Sequence, residues 1–181
     1  IGRDALYWCD GDNVMGLGYY AGRSSSPSGK IEAGTNIICL GNNSVTDIYC
    51  ADTTISSSDE RDKTDITDFT HGLDWISQLR PVTYKWDRRT DYRVYDDEGV
   101  FVSQGTPDGT HKKSRLNIGL LAQEELAIEQ QYGYGNSKDD MLVTSINEDE
   151  SAYGLKYERL VPILVNAIKE LEQRVKDLEN A

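Results

Sequence analysis

The stretch "YERLVPILVNAIKELEQRVKDLENA", residues 157–181, restricts the fold more than any other part of the chain. Val161, Ile168 and Val175 recur every seven residues, as do Tyr157, Leu164, Leu171 and Leu178, with Glu and Lys around them. A sustained seven-residue apolar repeat leaves a helix with one seam that must be covered, and the usual cover is another helix of the same kind. The spacing predicts a helix over about 155–180 that forms a coiled coil between copies. The first half of the seam can instead pack on its own domain, but the last two heptads have little else to pack on. β-branched residues at one seam position and Leu at the other nominally favour two strands.

Charge and composition narrow the partners. The chain carries 31 acidic and 19 basic residues, a net charge of -12, so a phosphate-binding surface of clustered Lys and Arg is not expected and nucleic acid is excluded as a partner. Mean hydropathy is -0.59 and no run of about 18 apolar residues occurs, so no membrane span is expected. The opening "IGRDALYWCD" lacks the basic-then-apolar pattern of a signal peptide and reads as the interior of a longer chain. Cys9, Cys39 and Cys50 form no CxxC pair, and His71 and His111 have no partner at metal-ligand or triad spacing. Buried free thiols, no metal and no cofactor are the expectation.

Residues 1–55 hold an internal echo. "GDNVMGLGYYA" starts at Gly11 and "GTNIICLGNNS" at Gly34, an offset of 23, sharing the frame G-x-N-h-x-x-L-G-x-x-(A/S) with h apolar. Short β-prone runs closed by Gly and Asn predict strands joined by tight turns. Each unit is too small to bury its own face, so it must stack on neighbours or on other chains.

From residue 58 the texture changes. "DFTHGLDWISQLRPVTYKW" opens as a helix, with Asp68 or Thr70 as cap and Leu73, Trp75, Ile76 and Leu79 at helical spacing; Pro81 stops it and "VTYKW" alternates as a strand. Residues 87–115 read as a loop or hairpin excursion around "GVFVS". "LNIGLLAQEELAIEQQY" reads as a short strand entering a second helix, and residues 133–150 as a polar loop interrupted by a strand at "MLVTSI". The fold class expected is α+β: a β-rich, Gly-rich segment over 1–57, then a mixed domain over 58–181 ending in the long helix.

At the boundary lies "SSSDERDKTDI", residues 56–66. A serine hydroxyl breaks a peptide bond only if a base takes its proton, and lysine serves as that base only when neutral. In water, about four lysines in ten thousand are neutral at pH 7; burial raises that fraction by lowering the amine's pKa. Ser-x4-Lys alone is a weak motif that fits a solvated charged linker equally well. A five-residue offset leaves two side chains about 140° apart on a helix and on opposite faces of a strand. Either the segment turns sharply, or the lysine of one chain serves the serine of another.

"SDERDKTDI" at 58–66 resembles the S-D-x-R-x-K-x-x-I signature opening the S74 peptidase domain, the C-terminal intramolecular chaperone of phage tail fibres, tailspikes and endosialidases. The resemblance continues in order through "LDWISQLRPVTYKW", "IGLLAQE" and "YGLKYERLVPILVNAIKELEQRV". It implies a self-cleaving serine endopeptidase: Ser58 as nucleophile, Lys63 as general base, and the Ser57–Ser58 bond as the one cut. Asp59 and Arg61 match the remaining fixed positions and receive a positioning role. It further implies a homotrimer, which overrides the dimer-leaning heptad rule because a globular domain can dictate symmetry. The folding client would be the chain's own upstream shaft, and the chain would be made in the bacterial host cytoplasm. After cutting, the shaft would stay in the virion tail and the chaperone would be released; any host-surface receptor would be met only by the mature fibre. Within the shaft, Tyr7, Trp8, Tyr19 and Tyr20 are expected to pack rather than to face a glycan.

Intertwined β-shafts bury their apolar residues only when identical chains meet in register, and a one-residue slip turns every side chain to the wrong face. A domain that associates first holds the chains at matched height and raises their effective concentration. Cutting afterwards removes the template and leaves the shaft kinetically trapped. The alternative is a non-cleaving structural trimerisation module with an inert Ser-Lys pair.

Overall fold

The computed structural model describes residues 1–51, 56–97 and 101–181. Helices and strands are mixed throughout. The chain gathers into two compact units, each built from two separate stretches: Ile1–Asn43 with Leu79–Lys156, and Ser44–Gln78 with Tyr157–Ala181. The boundary drawn at 57/58 from the sequence falls inside the second of these.

Among the described residues, the first unit holds every strand. β1 (Val14–Leu17) and β2 (Ile37–Leu40) pair in parallel, Val14 opposite Ile37 through Leu17 opposite Leu40, which is the 23-residue echo read directly as strand register. Under them lies a small core of Ala21, Ile31 and Cys39, with Leu6, Val14 and Ile37 packed against it. The three cysteines are free, but only Cys39 is buried; Cys9 is half-buried and Cys50 exposed, against the expectation that all would be enclosed. The Cys39 thiol sits among the Ser26 hydroxyl at 2.9 Å and the Gly22 amide at 3.1 Å, a polar nest that suits a small sulfur side chain.

Three antiparallel pairs follow. β3 (Val82–Tyr84) pairs with β6 (Asn117–Gly119), β4 (Arg93–Tyr95) with β5 (Phe101–Gln104), and β7 (Thr144–Ile146) with β8 (Tyr153–Leu155). The β4–β5 pair falls in the stretch read as a loop or hairpin and matches the second of these; Gly99 and Val100 of "GVFVS" lie outside the described residues. α2 (Ala122–Gln131) follows β6 as its sequence predicts. Glu129 on α2 is fully buried, and its carboxylate accepts hydrogen bonds from the amides of Leu142, Val143 and Thr144 at 3.0, 2.8 and 2.6 Å. A buried carboxylate is tolerated only with such partners, and here it fixes where β7 starts.

In the second unit α1 (Leu73–Ile76) is only four residues long, far shorter than the apolar spacing through Leu79 suggests. Neither Asp68 nor Thr70 caps it; Gly72 occupies the cap position, and the Leu73 amide is taken by the Glu170 carboxylate of α3 (Leu160–Glu179) at 3.2 Å. Asn166 of α3 donates to the carbonyl of Phe69 at 2.6 Å, so the turn before α1 is pinned by the same helix. Gly72 permits this closeness: a Cβ there would lie 2.5 Å from the Ala167 backbone nitrogen. The unit's core is Trp75, fully buried, with Leu160, Ile163 and Ala167. Pro162 sits in the first turn of α3, where its missing amide leaves no helical bond unmade. Tyr157, the first residue of the heptad seam, lies in a single 3-10 turn, Tyr157–Arg159, that leads into α3.

Candidate active site

Residues 58–63 form a tight clasp. Asp59 is the N-cap of a one-turn 3-10 helix, Glu60–Asp62, its side chain accepting from the Arg61 amide at 3.0 Å. Aspartate suits that position because its short carboxylate reaches an amide left unbonded at a helix start. The Arg61 guanidinium folds back on the same carboxylate through Nε at 3.0 Å and Nη2 at 2.6 Å, a two-pronged ion pair across one residue. The turn closes with the Lys63 amide donating to the Glu60 carbonyl at 3.1 Å. Asp59 and Lys63, on either side of the turn, are both extended. The chain therefore doubles back, and Lys63 Nζ donates to Ser58 Oγ at 2.8 Å.

That distance answers the spacing problem. Neither an α-helix nor a strand brings side chains five residues apart together, but a single 3-10 turn between extended flanks does. Asp59 and Arg61, given only a positioning role from the motif, form an ion pair that ties the turn carrying serine and lysine at its ends. The Arg61 guanidinium and the Arg61 amide together hold the Asp59 carboxyl below the ordinary aspartate value of 3.8, and Asp59 in turn raises the Arg61 guanidinium. What a single chain does not supply is burial. Ser57, Ser58, Asp59, Arg61 and Lys63 are all exposed.

Sequence reasoning placed Asp59 and Arg61 in the motif but did not see the cap. The available signal was an Asp directly after the serine and two residues before an Arg, the pattern of a side chain returning to its own turn. Among the described residues no cluster of three His, Cys, Asp or Glu side chains fit to hold a metal ion occurs, and no helix is long and apolar enough to cross a membrane.

The proposed seam residues on α3 and its preceding turn all point away from their own unit. Tyr157, Val161, Leu164, Ile168, Leu171, Val175 and Leu178 are each exposed, from 42% at Leu164 to 78% at Leu178, whereas Leu160, Ile163 and Ala167 are buried. The helix thus has two apolar stripes. One is used within the chain.

Residues 58–134 match the family model Peptidase S74, described as the chaperone of endosialidase. The matched segment is similar to that family and covers less than half of the chain. The match opens on Ser58 and takes in the clasp, α1, the β3–β6 and β4–β5 pairs and α2, while α3 lies beyond its end. No curated protein matches the chain.

Proposed function

We propose that the chain ends a phage tail fibre or tailspike as its intramolecular chaperone, trimerising through the α3 seam, registering the β-rich segment upstream, and then cutting itself at Ser57–Ser58. The family of residues 58–134 supports the chaperone part of this reading. The observation that carries the cutting is the 2.8 Å contact between Lys63 Nζ and Ser58 Oγ within one chain. In this reaction Lys63, once neutral, takes the Ser58 hydroxyl proton while Oγ attacks the carbonyl carbon of Ser57. The same proton passes to the Ser58 backbone nitrogen as the C–N bond breaks, leaving an ester between Ser57 and the Ser58 side chain. Water then hydrolyses the ester, freeing the Ser57 carboxylate and restoring the hydroxyl.

The exposure of the pair explains why such a chain would not cut itself prematurely. The proton transfer needs an uncharged amine, which needs a site poor in water. Association would supply that site by covering the turn. The dyad geometry favours catalysis within a chain rather than between chains, so mixing Ser58→Ala chains with Lys63→Ala chains should not restore cutting. The same exposure favours a second reading, a trimerisation module whose Ser-Lys pair is inert. A denaturing gel of purified protein separates the two. Pieces beginning at Ser58, lost in Ser58→Ala and Lys63→Ala with the assembled mass unchanged, support self-cleavage; intact chains after long incubation support the inert module.

A further inference from the structure

We infer that the upstream segment is built from rungs stacked within one chain, and that the outward apolar face of those rungs is a docking surface for a second copy of this chain. The shaft would then be a bundle of self-contained stacks rather than an intertwined braid. This rests on the association reading above.

The stacking is visible residue by residue. The β1–β2 pairing is parallel and in register at the repeat interval, over four consecutive pairs. Asn13 and Asn36, equivalent in the repeat, share the left-handed conformation with φ of 54° and 59°, and their side chains join at 2.8 Å. The glycines of the repeat are where the rungs touch: a Cβ on Gly11 would overlap the Gly34 carbonyl oxygen at 1.7 Å, and one on Gly18 would meet the Gly41 Cα at 3.1 Å. The Gly and Asn of the shared frame are thus accounted for by contact between successive rungs of one polypeptide.

Alternation then sorts the strand residues. Val14, Gly16, Ile37 and Cys39 face the core formed with Ala21 and Ile31, while Met15, Leu17, Ile38 and Leu40 face out. The outward four are 51%, 37%, 70% and 44% exposed. Parallel strands ordinarily have both faces covered, and a solvent-facing side would carry polar residues. This side carries none. A second copy is the occupant that the chemistry favours. Each chain bears a net charge of -12, which makes copies repel, and that repulsion is least where the meeting surface is uncharged, as Met15, Leu17, Ile38 and Leu40 are. The α3 seam is another, on the same polypeptide. Association through one raises the effective concentration of the other, with equivalent residues brought to equivalent heights.

Two cysteine variants test the idea in the full chain carrying Ser58→Ala to keep it intact and Cys50→Ser to remove the exposed thiol. In Val14→Cys/Ile37→Cys, oxidation should close a bridge within one chain, seen as a faster-moving monomer on a non-reducing denaturing gel. Covalent multimers from this inward pair, absent from the single Val14→Cys variant, would mean that neighbouring strands belong to different chains and would overturn the stacking. In Ile38→Cys, oxidation should join copies into covalent dimers. Sedimentation mass is measured on the same samples. An assembled particle whose Ile38→Cys chains do not cross-link overturns the docking face alone, because something other than a copy then covers it or nothing does. A particle of single-chain mass overturns the association reading as well.

Discussion

The clasp at 58–63 and the helix at 160–179 are finished to different degrees in a single chain. In the clasp the contact between Lys63 and Ser58 is already set by bonds spanning five residues or fewer, yet Ser58, Asp59, Arg61 and Lys63 are all exposed. In α3 the opposite holds: burial is strong along one stripe and missing along the other, and no local bond can supply it. Hydrogen bonds between near neighbours can position groups. Only contact between distant residues, or between chains, can dry them. If the two regions are coupled as proposed, the helix switches on a reaction whose geometry it does not build.

The comparison breaks most sharply at Leu171→Asp, which puts a charge into the exposed seam without touching Leu160, Ile163 or Ala167. Sedimentation should show single chains, and a denaturing gel should show cutting at Ser57–Ser58 abolished. Efficient cutting by proven single chains would uncouple helix from clasp. Trp75→Ala probes the other stripe. Removing this fully buried ring should cost about 3–5 kcal/mol of stability, read as a lowered denaturant midpoint with the slope unchanged. Gly72→Ala crowds the backbone of α3 and should cost about 1–3 kcal/mol by the same measurement.

Smaller effects belong to the clasp. Arg61→Ala should slow cutting several-fold with the assembled mass unchanged, since it loosens the turn without removing serine or lysine; an unchanged rate would deny the ion pair any positioning role. The pH dependence has a definite sign. Because the Asp59 carboxyl is held below its ordinary value, the contribution of the clasp is complete above pH 3.8 and fades as the pH falls through the lowered value. Carboxyl resonances followed by NMR should show Asp59 titrating below ordinary aspartates, and Arg61→Ala should return it toward 3.8.

Legibility in the sequence followed the range of the interactions. The heptad helix, the strand before α2 and the 23-residue echo were all readable, because each depends on residues close in the chain or on strict periodicity, while the β4–β5 stretch reads as either loop or hairpin. The short α1 was not. Its apolar spacing extends to Leu79, but its start is fixed by Gly72 against Ala167 and by Glu170, more than 90 residues away. β8 was missed as well, for it pairs with a strand whose start depends on buried Glu129. At the site, serine, lysine and their two companions were named from the motif, while the 3-10 turn that unites them was one of two open routes.

By itself, then, the sequence determined which residues match the Ser-Lys motif, which stripe of α3 is apolar at seven-residue spacing, and which positions repeat. Those are properties of composition and interval, and they do not depend on what folds against them. The tertiary structure decided that the turn closes within one chain and that the echo becomes parallel register. It also decided that α3 spends Leu160, Ile163 and Ala167 on Trp75 while leaving the heptad seam open. Burial is a property of the whole arrangement, because the residues that exclude water from a group are rarely its neighbours in the chain.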